Sequence, residues 1–225
     1  MKRTFDVLIS LIILLAGSPI IIAIIAFDFV ITKQFPVIFQ KRSINLKQKE
    51  INLSKIRTII GPQQENQNEG ISSNVLRHEE YRSKVPFFCR WLRKSGADEV
   101  LQVINVLKGE MSLVGPRPLV LKELKIIREE NPELYSRRTK IKSLPGITGY
   151  WQIYGDREKG VKNLVELDEY YENNKSFFLD IKIILKTLFI MLTATHSDAI
   201  VGKKIMKYKM SKIMDFSMYR EIESS

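Results

Sequence analysis

Cysteine and histidine are nearly missing from this chain. Cys89 is the only cysteine in 225 residues, and His78 and His196 are the only histidines. A single thiol excludes an intrachain disulfide framework and any zinc site built from several cysteines. Two histidines so far apart, with no ligand-like spacing, make a histidine-rich metal centre unexpected. No internal repeat is present. Charge is abundant but one-sided: 36 Lys and Arg against 25 Asp and Glu give +11. Hydrophobic residues make up 44% of the chain, enough for a sizeable core, which excludes a wholly disordered, collagen-like or mini-protein chain. The length allows one domain of ordinary size, or one domain with appendages. A basic excess seeks polyanions, whether nucleic acid, anionic lipid headgroups or phosphorylated substrates. No helix-turn-helix or RNA-binding aromatic motif stands out, so no nucleic-acid partner is expected.

An apolar run from Val7 to Ile31 follows Lys2 and Arg3. Three readings compete. A signal peptide has its basic start and an Ala16-Gly17-Ser18 cleavage-like site, but hydrophobicity resumes at once from Ile20 to Ile25, and Asp6 precedes the run. A straight span has the length, roughly 20 residues. Yet Pro19 sits in the middle, where it removes an N–H and clashes with the preceding turn, and Ser18 is placed to satisfy the freed carbonyl. Each half, about 11 residues or ~16 Å of helix, reaches only about half of a bilayer core. Lys2 and Arg3 before the run, and Lys33, Lys41 and Arg42 after it, put both ends on the cytoplasmic face by the positive-inside rule. A re-entrant helix broken at Ser18-Pro19 accounts for length, break and charge together and is the favoured reading.

Pro36 to Thr58 reads as a β-hairpin, with Val37-Ile38-Phe39 in one strand and Ile51 and Leu53 alternating with polar residues in the other. Gly61 to Ser73 is a polar loop, either a lid or a plain linker. Helices resume near Val75. Ser95 to Asp98 has capping-box spacing, followed by Val100, Leu101, Ile104 and Leu107 at helical intervals and a stop at Gly109. Leu119 to Glu130 reads as a helix ending at Asn131-Pro132, Pro145 to Gly155 as a Gly-rich loop, and Leu164 to Tyr171 as helical. Ser176 to Thr195 is apolar but carries Asp180, Lys182 and Lys186, which favours a core or membrane-interface helix over a dry span. The basic tail beyond Val201 reads equally as a lipid-surface helix or a partner-packing one.

Chemistry gathers around Asp98-Glu99. Adjacent acids in a first helical turn are usually capping residues. Here they lie among cations: Lys55, Arg57, Arg93, Lys94, Lys108, and Arg117 between Pro116 and Pro118. Arginines bind phosphate oxygens in bidentate fashion, and carboxylates can hold magnesium together with phosphate. Arg93 and Arg117 are the best phosphate-binding candidates, with Lys55 and Arg57 weaker ones.

Three strings then carry a resemblance. Arg93-Lys94-Ser95-Gly96-Ala97-Asp98-Glu99 leads on to Lys108-Gly109-Glu110-Met111-Ser112-Leu113-Val114-Gly115-Pro116-Arg117-Pro118. Pro145-Gly146-Ile147-Thr148-Gly149-Tyr150-Trp151-Gln152 is the second, and Glu166 to Tyr171 with Phe178 to Lys182 the third. With the basic amino terminus and Ser18-Pro19, this pattern resembles the bacterial sugar transferases, the monotopic phosphoglycosyl transferases, over roughly Lys2 to Thr195. The resemblance implies transfer of a sugar phosphate from a UDP-sugar to polyprenyl phosphate, with release of UMP. It implies Asp98 as nucleophile, forming an aspartyl-phosphosugar, and Glu99 as a magnesium-holding, orienting partner, with manganese as the alternative ion. It adds Arg157 to the phosphate-binding set. It places Gly115, Pro116, Pro118, Pro145, Gly146, Thr148, Gly149 and Gln152 in loops near substrate. It allows homodimers. It implies the bacterial inner membrane, with the catalytic domain facing the cytoplasm beside anionic lipid.

The expected fold is α+β: a mainly helical, membrane-associated domain with one β-hairpin and an N-terminal re-entrant helix. The expected parts are residues 1–32 as membrane helix, 33–200 as catalytic domain and 201–225 as amphipathic tail. Several positions depart from the family pattern. Leu144 stands where arginine is usual, Ala97 replaces leucine, Ile56 replaces phenylalanine, the hairpin loop at Ser43 to Leu46 lacks Pro-Gly, and Asp156 precedes Arg157. They keep open an alternative: a weakly active or inactive member that acts as a membrane scaffold for glycan enzymes.

Overall fold

The computed structural model describes residues 2–61, 85–156 and 159–193. The loop expected over Gly61 to Ser73 beyond its first residue, the helix start near Val75, Arg157 and the basic tail lie outside the described residues. The fold is the expected mainly helical α+β arrangement. Helix α1 (Lys2–Thr32) leads into the hairpin β1 (Val37–Ser43) and β2 (Ile51–Ile56). Next come α2 (Phe87–Ser95), a 3-10 segment (Ala97–Gln102) and α3 (Val103–Leu107). Strands β3 (Ser112–Val114) and β4 (Leu119–Val120) precede α4 (Leu121–Glu130) and α5 (Pro132–Thr139). Then follow β5 (Gly146–Thr148), α6 (Tyr150–Tyr154), α7 (Gly160–Asn174) and α8 (Phe177–Thr193).

Helix α1 is continuous through Pro19, so the helical break expected at Ser18-Pro19 does not occur. The Leu15 carbonyl, which Pro19 leaves without its N–H donor, accepts from Ser18 Oγ at 2.9 Å. Buried residues lie toward the two ends, Asp6 and Ser10 and then Ile21, Asp28 and Thr32. No residue from 11 to 20 is buried. At the amino-terminal end, Lys2 Nζ donates to Val114 O and Tyr171 Oη, each at 3.2 Å, and pairs with Asp180. Ser112 Oγ donates to Asp6 Oδ2 at 2.7 Å. Toward the other end, Ile21, Ile24 and Ile25 pack with Ile56, Leu92 and Leu101, and Cys89 Sγ meets Asp28 Oδ1 at 3.3 Å. Both ends of one apolar helix therefore clasp the same body. Burial holds the Cys89 thiol up at about 12, which makes it an inert core residue.

The hairpin forms as expected, with Val37 opposite Ile56 and Arg42 opposite Ile51. Two further features depart from the sequence reading. Leu119 and Val120 do not start α4; they form β4 and add a third, antiparallel strand to β1. The expected loop after Pro145 contains β5 and α6, and β5 pairs in parallel with β3, Ser112 opposite Gly146 and Val114 opposite Thr148. The main core joins β2, β3, α4, α6, α7 and α8 through Leu53, Leu113, Leu124, Trp151, Leu164, Tyr171 and Ile183. Each large apolar side chain buried there contributes about 1.5–3 kcal/mol. Helix α8 turns Asp180, Ile183 and Ile190 inward while Phe178, Leu185, Phe189 and Leu192 stay exposed.

Candidate active site

Gly96 sets the local geometry of the site. It takes φ +73°, a left-handed conformation that costs glycine little, and so ends α2 at Ser95. Ser95 is thus the last residue of one helix and not the cap of the next. Its Oγ donates to Leu92 O at 3.0 Å and accepts from the Ala97 N–H at 3.3 Å, so the expected capping box does not form. The chain restarts as a 3-10 turn, in which residues three apart align. Asp98 and Leu101 both point inward and are buried. Glu99 and Gln102 stack, and Gln102 Nε2 donates to Glu99 Oε2 at 3.1 Å.

Strand β2 runs past this turn. Ile51, Leu53 and Lys55 share one face by strand alternation, and that face carries Lys55 to the carboxylate pair. Lys55 Nζ lies 3.1 Å from Asp98 Oδ2 and 3.3 Å from Glu99 Oε1, bridging both acids. Arg93, in the last turn of α2, donates to Thr58 Oγ1 at 3.1 Å. Asp98 is only 2% exposed. Burial pushes its carboxyl above the ordinary value; the Lys55 and Arg93 charges oppose this and Glu99 adds to it. Asp98, Glu99, Lys55 and Arg93 therefore form one charged cluster.

Other candidates are placed differently. Arg57 is buried just beyond β2. Its Nε donates to Phe35 O at 2.9 Å and its Nη1 to Gly61 O at 3.2 Å, so it braces two backbone segments. Arg117 lies with the motif loops, its guanidinium 5.1 Å from the Trp151 ring centroid. Those loops pack backbone to backbone. Gly115 N–H donates to Thr148 O and Gly146 N–H to Pro116 O, both at 3.0 Å, and Ser112 N–H donates to Pro145 O at 2.9 Å. Thr148 Oγ1 bonds Thr187 on α8 at 2.7 Å, and Pro118 O accepts from Arg42 at 3.4 Å. Gln152 is buried beside Gly149. A Cβ added to Gly149 would land on the Gly115 carbonyl oxygen, and one added to Gly146 on the Gly115 nitrogen. Gly149→Ala is expected to abolish activity and lower the melting temperature, because backbone on backbone cannot give way. A variant of wild-type stability and rate would show that the two loops can separate.

Residues outside the candidate site set hold these loops. Arg138 is fully buried and pairs with Asp168 at 2.8 Å. Its Nε donates to Ile44 O at 2.6 Å, and its Nη2 donates to the Arg117 carbonyl. Asp168 Oδ1 accepts from the Arg117 N–H at 3.3 Å. The pair thus grips both backbone polar groups of Arg117. Asp168 lies within a quoted motif; Arg138 carried no signal beyond being one arginine among many. Gln102 was detectable only as a polar residue one 3-10 turn after Glu99.

The donor chemistry suits a hard cation. Asp98 and Glu99 offer carboxylate oxygens, and among the described residues no group of three or more His, Cys, Asp or Glu side chains comes together. Two carboxylates fit magnesium that draws its remaining ligands from phosphate and water.

Known proteins show the same pattern. A sequence model of the bacterial sugar transferases matches residues 1–194. The chain is 37% identical over 190 residues to the sugar transferase EpsL of Bacillus subtilis (strain 168), covering 84% of this chain and 85% of that one. It is 32% identical over 195 residues to the exopolysaccharide production protein ExoY of Sinorhizobium fredii (strain NBRC 101917 / NGR234), covering 83% of each. It is 34% identical over 194 residues to the UDP-glucose:undecaprenyl-phosphate glucose-1-phosphate transferase of Escherichia coli (strain K12), covering 84% of this chain but only 39% of that longer relative. The match over nearly the whole described length, together with the motif loops locked at Gly115, Gly146 and Gly149, leads to one conclusion: the chain belongs to the bacterial sugar transferase family.

Proposed function

We propose that the protein is a membrane phosphoglycosyl transferase. It moves a sugar 1-phosphate from a UDP-sugar to polyprenyl (undecaprenyl) phosphate, releases UMP and starts surface polysaccharide or glycoprotein glycan assembly. The observation that carries this reading is the buried Asp98 beside Glu99, bridged by Lys55 with Arg93 adjacent.

In the first step an Asp98 carboxylate oxygen attacks the β-phosphorus. The bond from that phosphorus to the bridging oxygen breaks, and UMP leaves with the electron pair. An aspartyl-phosphosugar results, which divides one difficult transfer into two. In the second step a phosphate oxygen of the polyprenyl acceptor attacks the same phosphorus. The carboxylate is released and a polyprenyl-diphosphate sugar forms. Lys55 and Arg93 offset negative charge on the phosphoryl oxygens. Magnesium or manganese, held by Asp98 and Glu99, would supply further neutralisation of those oxygens. The Arg138–Asp168 pair keeps the Arg117 loop in position.

The catalytic cluster works in its ionised form, so its acid limb follows the raised Asp98 pKa. Activity is expected to fall as pH drops through a value above the usual carboxylate pKa of about 3.9. Lys55→Gln removes an opposing positive charge and is expected to move that limb to higher pH. A limb that stays put, or moves down, would detach Asp98 from the rate.

The membrane reading has α1 as a re-entrant helix, with the protein on the cytoplasmic face of the bacterial inner membrane. Its support is the clasp of both α1 ends on one body, with the exposed segment 11–20 between them. A straight span would put Lys2 and Thr32 in opposite compartments. Cysteines introduced at Thr4 and Gln34 are expected to react with an impermeant maleimide only after cell lysis. Reaction of one of them in intact spheroplasts would establish a straight span.

The deciding assay is UMP release by purified protein in lipid with magnesium, undecaprenyl phosphate and a panel of UDP-sugars. Acceptor-dependent release with one donor supports the reading and names the sugar. Silence across the panel, with a working relative as control, would favour the scaffold reading.

A further inference from the structure

A second basic site lies away from the carboxylate pair. A cavity of about 350 Å³ opens between the hairpin turn, the turn after α3 and the loop before β5. Lys49, Lys108 and Lys142 line it, one from each segment, with Glu110 and Ser143 between them. The three ammonium groups form no ion pair among the described residues. Glu110 is already engaged, its Oε2 accepting from Asn105 Nδ2 at 2.8 Å. The balance is three positive charges against one negative in a concave space, an arrangement that focuses potential and draws an anion.

The cavity is distinct from the catalytic cluster. Ile51 lines it at the start of β2, whereas Lys55 holds the carboxylates four residues on, about 13 Å along the strand. Asp98 and Lys108 likewise stand at opposite ends of the continuous run formed by the 3-10 segment and α3. The cavity's neighbour on one side is the head of α1. Arg3 Nη2 donates to Leu107 O at 3.3 Å and lies against Gly109. Leu144 adds an apolar, 44% exposed side chain to the lining.

We infer that this cavity is a binding site for a phosphate-bearing anion, held by Lys49, Lys108 and Lys142. The phosphate can come from a soluble diphosphate or from an anionic phospholipid headgroup at the bilayer surface. The lipid source rests on the membrane reading of α1; the soluble source does not.

The test uses the full chain in phosphatidylcholine nanodiscs with EDTA. Calorimetric titration with inorganic diphosphate is the first arm. Native mass spectrometry after exchange into mixed phosphatidylglycerol and phosphatidylcholine discs is the second. The Lys108→Gln/Lys142→Gln variant is expected to weaken the bound species by roughly tenfold or more, the loss of two charge-assisted contacts. Lys142→Glu is expected to weaken it as well. Lys55→Gln/Arg93→Gln is expected to leave it intact, which separates this site from the catalytic cluster. Diphosphate binding that depends on the cavity lysines assigns a soluble ligand. Retention of phosphatidylglycerol alone, lost in the same variants, assigns the headgroup. No binding in either arm overturns the inference, as does binding indifferent to the cavity lysines. An unchanged melting temperature identifies the variants as folded. UMP release is scored separately, so failure of the transferase reading leaves this result standing.

Discussion

Asp98→Asn is expected to lower UMP release by a factor on the order of 10⁴, the scale of removing a nucleophile that acts as one unit with its partners. Asparagine keeps the shape of the side chain and leaves an oxygen for Lys55, so loss reports chemistry and not packing. Intact-mass measurement gives the second readout. Wild-type protein incubated with donor and no acceptor is expected to gain one phosphosugar, and the variant none. Glu99→Gln is expected to slow both steps while still allowing the adduct. An adduct that persists in Asp98→Asn, or maps to Glu99, would sink the assignment of nucleophile.

Arg138→Met is expected to give the largest loss of stability, about 3–5 kcal/mol, by leaving Asp168 as an uncompensated buried charge. Both side chains of the pair are fully buried. Asp168→Leu leaves the arginine stranded and should cost a similar amount. The double variant Arg138→Met/Asp168→Leu removes both charges and is expected to recover much of the stability, since desolvation offsets much of the attraction in such pairs. It is not expected to recover activity, because the pair also bonds the N–H and carbonyl of Arg117. Urea midpoints in detergent and UMP release, measured on all three variants, test this. Single variants that lose less than ~1 kcal/mol would mean that water reaches the pair. A double variant with full activity would remove the pair from loop positioning.

Much of the site was legible from residue order. Asp98-Glu99 and the strings around Gly115 and Gly146 are local features, and their residue types state their chemistry. The apolar run was legible as one long helix, and so was the hydroxyl that takes up the Leu15 carbonyl, but not the continuity of the helix through Pro19, where a break was expected. The hairpin was legible too, because period-two alternation over several residues distinguishes a half-buried strand. Other features were not legible. Strands β3 and β5 have three residues each, too few for any period to register. Lys55 and Arg57 looked interchangeable in sequence. Alternation puts Lys55 on the face toward the carboxylates, while Arg57 lies past the strand end and turns to Phe35 and Gly61. Ser95 looked like a cap until the left-handed turn at Gly96 made it the end of the helix before. Arg138 and Asp168 are thirty residues apart on α5 and α7, and nothing between them announces that they meet.

The sequence by itself determined the long apolar helix, the nucleophile candidate and the family pattern, because each rests on a contiguous stretch whose composition and spacing have direct physical meaning. The tertiary structure decided which cations reach Asp98, which arginine braces a loop and which buried pair grips Arg117. Those choices depend on desolvation and close packing between segments far apart in the chain, and such energies exist only once the segments have met.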